Sequence, residues 1–246
     1  MCKQCTCEIT SLRGAAGHTL IAGGRQDVLA TSVCHVIITE RQLCTQGLST
    51  QLKRAATLFE PKPRCVIVRE KDLAASAYER LFHQVCEITT QYQIPTMVHG
   101  QPDLAFRLVR QQIQDGTPGL VAGVHLPLAQ WATWRQAHRQ EAAYLMGLGH
   151  LASQHPCGVG VSVHSLEDAI AAEKLGVSYV MAGHIFASAC KPGVPPRGLS
   201  LLQSIVRQVS CPVYAIGGFT WADAKATEAV RVGAAGVAVR SDAMMR

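Results

Sequence analysis

The stretch GVGVSVHSLEDAIAAEKLGVSYVMAG (158–183) contains the pattern that decides the fold. Two apolar runs of strand length, GVGVSV (158–163) and SYVMAG (178–183), enclose a segment of helix length. Near-continuous apolar runs are typical of strands buried on both faces of a parallel sheet. Ser165 is placed to cap the helix, and Gly176 is placed to end it. The stretch therefore predicts one strand–helix–strand unit of an α/β protein.

The same alternation continues in both directions along the 246 residues of the chain. It favours a single (β/α)₈ TIM barrel, a fold of roughly 250 residues, with an open doubly wound sheet as the alternative. The segment between Leu126 and Gly158 has room for one long helix or two. The predicted strands are 34–39, 65–68, 95–98, 120–126, 158–163, 178–183, 212–218 and 235–241, and the clearest helices are 74–92, 129–145, 166–175, 199–208 and 221–232.

The two ends of the chain depart from a minimal barrel. Residues 1–33 form a predicted Cys/Gly-rich N-terminal extension ahead of a barrel domain over 34–246. The cluster CKQCTC (2–7) has the Cys-x-x-Cys spacing of metal ligands, but no second pair accompanies it, which favours reactive or disordered thiols. Only five residues follow Ser241, which predicts a short or absent eighth outer helix.

Composition excludes several functional classes. Hydrophobic residues make up 48% of the chain and charged residues 16%, as in a globular protein with a large core. The net charge is +6, but the basic residues are scattered, which argues against nucleic-acid binding and fits a small anionic ligand. No apolar run reaches the roughly 18 residues of a membrane span. Ten cysteines without a secretory signal predict a reduced, cytoplasmic protein.

Candidate functional residues follow the predicted strands, because ligands of such barrels bind at the carboxyl ends of the strands. His164 directly follows the fifth strand and is the candidate proton carrier, although a lone histidine is also a common structural residue. Gly217 and Gly218 after the seventh strand offer bare backbone to a phosphate, or form a tight turn. The other candidates are Arg240 and Ser241 after the eighth strand, Arg69 and Lys71 after the second, His99 and Gln101 after the third, and Lys191 in the loop after the sixth.

A series of short motifs in the chain resembles the thiamine phosphate synthase superfamily. Each motif is weak alone, but the series runs in family order over roughly residues 34–241. The motifs are VIITERQL (36–43), VIVREKDL (66–73), VHGQPDLAF (98–106), GVHLP (123–127), GVSVHS (160–165), AIGGF (215–219) and GVAVRS (236–241).

The superfamily that the chain resembles includes two activities, and the motifs differ between them. Thiamine phosphate synthases hold magnesium with aspartates of an Asn-Asp-Arg motif and a Gly-Gln-Glu-Asp run. This chain has His99-Gly100-Gln101 and Pro127-Leu128-Ala129-Gln130 at those places, without carboxylates. The thiazole tautomerase (TenI-type) branch is more similar at SVHSLEDAIAAEK (162–174), at GHIF (183–186) and at the CKPG loop (190–193).

The resemblance to the tautomerase branch implies an isomerase that aromatises a thiazole carboxylate phosphate by a 1,3-proton shift. It implies that His164 carries the proton, and that the reaction uses no metal or organic cofactor. By the same carry-over, Arg69 and Lys191 contact the substrate, and Gly217, Gly218, Arg240 and Ser241 bind its phosphate. Lys71, His99, Gln101 and His125 complete the predicted substrate contacts, although His99 departs from the family motif and is also a candidate second proton carrier. A homodimer is the family-level expectation. A magnesium-dependent synthase and a non-catalytic phosphometabolite-binding regulator are the alternatives, and the missing arginine beside His99 leaves the substrate open.

Overall fold

A computed structural model of the chain describes residues 33–116, 121–151 and 156–246. The predicted extension over 1–33, with Cys2, Cys5 and Cys7, lies outside the described residues apart from Val33. The extension and its boundary with the barrel domain therefore stay predictions.

The strands form a closed barrel in which all neighbours are parallel and β8 pairs with β1. Closure confirms the TIM barrel and rules out the open doubly wound sheet. All eight strands lie where the apolar runs predict them. They are β1 (Cys34–Ile38), β2 (Cys65–Val68), β3 (Thr96–His99), β4 (Val121–Pro127), β5 (Gly158–Val163), β6 (Tyr179–Gly183), β7 (Val213–Ile216) and β8 (Gly236–Val239).

Helices follow the strands around the outside of the barrel. The segment after β4 holds two helices, and the last helix has only five residues, which confirms the predicted short end. The helices are α1 (Leu48–Leu58), α2 (Ala75–Gln91), α3 (Pro102–Gln114), α4 (Leu128–Ala137), α5 (Arg139–Gly147), α6 (Leu166–Lys174), α7 (Gly198–Gln208), α8 (Ala224–Arg231) and α9 (Ser241–Met245).

Side-chain caps mark the starts of two helices, α6 and α8. Ser165 caps α6 as predicted, because its hydroxyl accepts a hydrogen bond from the Asp168 amide at 3.1 Å. The prediction that a helix begins at residue 221 is wrong. The Asp223 carboxylate accepts from the Lys225 amide at 2.9 Å, so α8 begins at Ala224.

The core has two layers separated by the barrel wall. The larger layer lies between the strands and the helices, and the smaller one fills the barrel interior with residues such as Ile67, Met97, Tyr179 and Met181. A filled interior leaves room for a ligand only at the ends of the strands. Within the part of the chain that the structure describes, no helix is long and apolar enough to cross a membrane.

Candidate active site at the carboxyl ends of the strands

A cavity of about 550 Å³ opens where the strands end and the loops begin. A second cavity, of about 500 Å³, lies ahead of β2 and β3 and contains none of the predicted site residues. The first cavity is therefore the candidate active site. It brings together nine predicted residues, namely Arg69, His99, His125, His164, Lys191, Gly217, Gly218, Arg240 and Ser241.

One side of the cavity, which we call the histidine wall, comes from the ends of β3, β4 and β5. It consists of His99, His125, Ser162 and His164. Residues two apart on a strand point to the same face, so Ser162 and His164 both face the cavity. The His99 and His125 rings lie 5.9 Å apart between their centroids.

The His164 ring is oriented by the backbone of the next strand. Its Nδ1 lies 2.8 Å from the carbonyl oxygen of Gly183 at the end of β6. A carbonyl oxygen only accepts hydrogen bonds, so Nδ1 carries the ring proton when the ring is neutral. The Nε2 lone pair is then available to take up a proton. The His164 amide also donates to the Asp168 carboxylate at 2.9 Å, which fixes the backbone here.

The two deeper histidines stay neutral at physiological pH. Burial, with a contribution from His99, lowers the pKa of His125 to about 3. Burial and the positive charges of Arg69 and Lys71 lower the pKa of His99 to about 4. The histidine wall thus presents imidazoles that can exchange hydrogen bonds without adding positive charge.

The opposite side of the cavity, which we call the glycine–arginine wall, comes from the ends of β7 and β8. It consists of Gly217, Gly218, Arg240 and Ser241. Both glycines have positive φ angles, +105° and +75°. A Cβ on Gly217 would overlap the Cβ of His184, so this glycine also serves the packing of the loop after β6.

Cations without a carboxylate partner face the cavity. Neither the half-buried Arg69 nor Lys191 forms an ion pair with any residue that the structure describes. Burial and the nearby charge of Arg240 lower the pKa of Arg69. Such crowding of positive charge is relieved when an anion binds between the cations.

Carboxylates around the rim fix the strand ends that carry Arg69 and Arg240. Glu40, which follows β1, binds Arg240 at 3.1 Å. The buried Glu70 accepts hydrogen bonds from the Thr39 hydroxyl at 2.7 Å and from the Arg41 amide at 3.0 Å. The Thr39 hydroxyl in turn accepts from the Arg69 amide at 2.9 Å. This network fixes the strand ends from which Arg69 and Arg240 project.

The oxygen donors of this cavity do not fit the magnesium that the synthase reaction of the family implies. Asp242 is the one carboxylate among the described residues of its lining, and it already accepts from the Trp221 amide at 2.7 Å. Across residues 33–116, 121–151 and 156–246, no three His, Cys, Asp or Glu side chains are grouped to hold a metal ion. Mg²⁺ in phosphate chemistry is bound through carboxylates together with the substrate phosphates, so we derive no step through it here.

Two predicted residues lie outside the cavity lining. Lys71 is exposed in the turn after β2, and Gln101 is half-buried at the start of α3. The lining also includes residues that the prediction missed, namely Ser162, His184 and Cys190. Ser162 could have been found from strand alternation, since it lies two positions before His164.

Comparisons with known proteins identify the family of the chain. The profile of the thiamine monophosphate synthase family matches residues 35–243. The thiamine-phosphate synthase of Lacticaseibacillus paracasei is 30% identical over 220 residues, which are 87% of this chain and 88% of the relative. Thiamine-phosphate synthase 2 of Streptococcus pneumoniae is 30% identical over 179 residues, 73% of each chain.

Solved structures share the fold. Thiamine phosphate pyrophosphorylase from Pyrococcus furiosus superposes with a TM-score of 0.62 at 24% identity, covering 87% of this chain and 89% of that one. An N-acetylmannosamine-6-phosphate 2-epimerase from Clostridium perfringens gives a TM-score of 0.53 at 13% identity, covering 94% and 95%. The structural likeness shows the barrel alone, whereas the profile covers most of the sequence. The chain belongs to the thiamine monophosphate synthase family.

Proposed function

We propose that this family member is a thiazole tautomerase. It aromatises a thiazole carboxylate phosphate by a 1,3-proton shift. The observation that carries the proposal is the orientation of His164, whose Nδ1 is held by the Gly183 carbonyl at 2.8 Å. That contact leaves Nε2 as the basic atom at the cavity.

The reaction needs one group that removes a proton from the substrate and then returns it. His164 Nε2 removes a proton from a carbon atom of the substrate, and the Gly183 carbonyl stabilises the resulting imidazolium through Nδ1–H. The Nε2–H of the imidazolium then returns the proton to a second carbon atom, and the ring becomes aromatic. A positioned acid–base group of this kind contributes about 10²- to 10⁴-fold to the rate.

The cations of the cavity suit the two anionic groups of this substrate. Arg69 is the proposed partner of the carboxylate, because a guanidinium binds a carboxylate through two parallel hydrogen bonds. The glycine–arginine wall is the proposed phosphate site, and Lys191 adds positive charge from the loop after β6. Binding both ends of the substrate fixes the reacting carbon atoms against His164.

A turnover assay on the non-aromatic thiazole carboxylate phosphate tests the proposal. We expect the wild type to form the aromatic product without added metal, and His164→Ala to be slower by about 10²- to 10⁴-fold. His83→Ala is the matched control, because His83 lies exposed on α2. Equal rates for the wild type and His164→Ala would refute the assignment.

The second candidate is thiamine phosphate synthesis, which the names of the curated relatives favour. The same protein incubated with the pyrimidine diphosphate, the thiazole phosphate and Mg²⁺ distinguishes the two. Magnesium-dependent formation of thiamine phosphate would establish the synthase, despite the poor fit of the donors to the metal. A phosphate-binding regulator would give no product in either assay. The cytoplasmic location and the homodimer stay predictions.

A further inference from the structure

Three polar side chains form a connected row inside the barrel, beneath the cavity. The Tyr179 hydroxyl, from the start of β6, lies 2.9 Å from His125 Nδ1. His125 Nε2 lies 2.9 Å from the Ser162 hydroxyl on β5. Tyr179 and His125 are buried, whereas Ser162 reaches the cavity. The row therefore links the closed interior to the ligand-facing surface.

The surrounding sequence makes room for this row. A Cβ on Gly160 would overlap the Tyr179 ring, so the glycine leaves the space that the ring occupies. The Tyr179 ring stacks on the His125 ring at 5.6 Å and meets the Tyr214 ring edge-on at 5.4 Å. Packing on these sides holds the hydroxyl and the imidazole in place.

The direction of the hydrogen bonds follows from the available acceptors. The His125 ring is neutral because burial lowers its pKa to about 3, so it carries one N–H. The Tyr179 hydroxyl has two neighbours that could accept its proton, His125 Nδ1 and the Met97 sulfur at 3.4 Å. An imidazole nitrogen is a much stronger acceptor than a thioether sulfur. Tyr179 therefore donates to Nδ1, and His125 donates through Nε2 to the Ser162 oxygen.

A hydroxyl that accepts from His125 has its own proton left to donate. We propose that Tyr179 and His125 are positioning residues that hold Ser162 as a hydrogen-bond donor to the ligand. The group that meets Ser162 is then an acceptor without a proton. This part rests on the tautomerase proposal: in that substrate the acceptor is the ring nitrogen, and a donor there stabilises the negative charge that builds up when His164 removes a proton.

The tautomer of His125 can be measured without any substrate. In ¹⁵N-histidine-labelled protein, with His125→Asn used for assignment, we expect the Nε2 resonance of a protonated nitrogen and the Nδ1 resonance of an unprotonated one at pH 7. A proton on Nδ1 would overturn the proposal, because Ser162 would then donate to His125. This outcome is independent of whether the chain is a tautomerase.

Kinetics test the consequence for catalysis. We expect Ser162→Ala and Tyr179→Phe each to lower kcat about tenfold with little change in KM, and Ser162→Thr, which keeps the hydroxyl, to restore most of kcat. The double variant should be no slower than Ser162→Ala, because Tyr179 acts only through Ser162. Tyr214→Phe is the control, since its hydroxyl lies outside the row. Additive losses in the double variant would show that Tyr179 acts by another route and would overturn the proposal.

Discussion

The histidine wall and the glycine–arginine wall of the cavity present different kinds of groups to a ligand. The first holds imidazoles and a hydroxyl, with hydrogen bonds that join His125 to Tyr179 and Ser162 and His164 to the Gly183 carbonyl. The second offers bare backbone and a guanidinium whose ion-pair partner, Glu40, lies on the rim. A backbone-and-charge surface suits any phosphate, whereas an ordered row of imidazoles suits one orientation of a reacting ring. Under the proposed function, the glycine–arginine wall supplies binding strength and the histidine wall supplies the chemistry.

The largest effect, on the free energy of unfolding, is expected at Gly217 in the glycine–arginine wall. The absence of a side chain there leaves the space that His184 occupies. Gly217→Ala places a Cβ against His184 at a φ of +105°. We expect the free energy of unfolding to fall by about 3 kcal/mol, because backbone strain adds to steric overlap. Urea unfolding measures this loss.

Gly116→Ala is the matched control for this substitution. Gly116 also has a positive φ, +60°, but a Cβ there would meet nothing within 4 Å. Strain alone predicts a loss of about 1–2 kcal/mol. Equal losses in the two variants would show that the contact with His184 does not constrain the wall.

A smaller effect, on the affinity for the ligand, is expected when the positive charge of Arg240 is removed and the backbone is unchanged. Arg240→Gln should weaken binding of the aromatic thiazole carboxylate phosphate by about 10- to 100-fold, because a charge-assisted hydrogen bond to phosphate is lost. Isothermal titration calorimetry measures the affinity. Arg107→Gln is the control, since Arg107 pairs with Glu79 at 2.8 Å on the outer helices. An unchanged affinity in Arg240→Gln would move the phosphate site away from this wall.

The histidine wall should make stability depend on pH. The folded-state pKa of His99, about 4, lies below the ordinary value of 6.5. As the pH falls from 6.5 towards 4, the unfolded chain takes up a proton that the folded chain does not, so the free energy of unfolding decreases. Above pH 6.5 the contribution is complete. One such histidine adds about 1.4 kcal/mol per pH unit to the slope.

Urea unfolding between pH 5 and pH 8 tests this slope. His99→Asn should make the curve flatter below pH 6.5 by about the contribution of one proton, and any difference at pH 8 reports packing alone. An identical slope in the variant and the wild type would mean that His99 is protonated in the folded protein.

The sequence predicted the barrel and most of the cavity because both follow from strand periodicity. Apolar runs locate the strands, and the residue directly after a strand then faces the mouth at Arg69, His164 and Arg240. Two residues further on, turn geometry replaces periodicity, which is why Lys71 and Gln101 lie outside the lining.

Contacts between distant residues were beyond prediction. Tyr179 and His125 are 54 positions apart, and their hydrogen bond depends on which strands are neighbours around the closed barrel and on the space left by Gly160. The pattern of apolar residues contains neither fact. The proposed role of Ser162 therefore depends on contacts that the sequence does not contain, although its position facing the cavity follows from strand alternation.

The smallest effect concerns a thiol that borders the glycine–arginine wall. Cys190 is exposed, and its sulfur lies 3.2 Å from the Ser241 hydroxyl. Burial alone would raise its pKa, but hydrogen bonds with Ser241, Arg240 and Ser188 outweigh burial and lower it. We expect iodoacetamide to modify Cys190 severalfold faster than Cys211, whose pKa is raised to about 11 by burial and by Glu173.

The reactivity of Cys190 also tests whether a phosphate ester binds at the glycine–arginine wall, because Cys190 lies beside Ser241. If the ester occupies the glycine–arginine wall, it covers Ser241 and Arg240 and should slow the modification of Cys190 by a few-fold, as measured by peptide mass spectrometry. Modification of Cys211 is the internal control, because that residue lies between α7 and β7 and outside the cavity lining. Protection of both thiols would indicate general stabilisation of the fold, and protection of neither would contradict binding of the ester at the glycine–arginine wall.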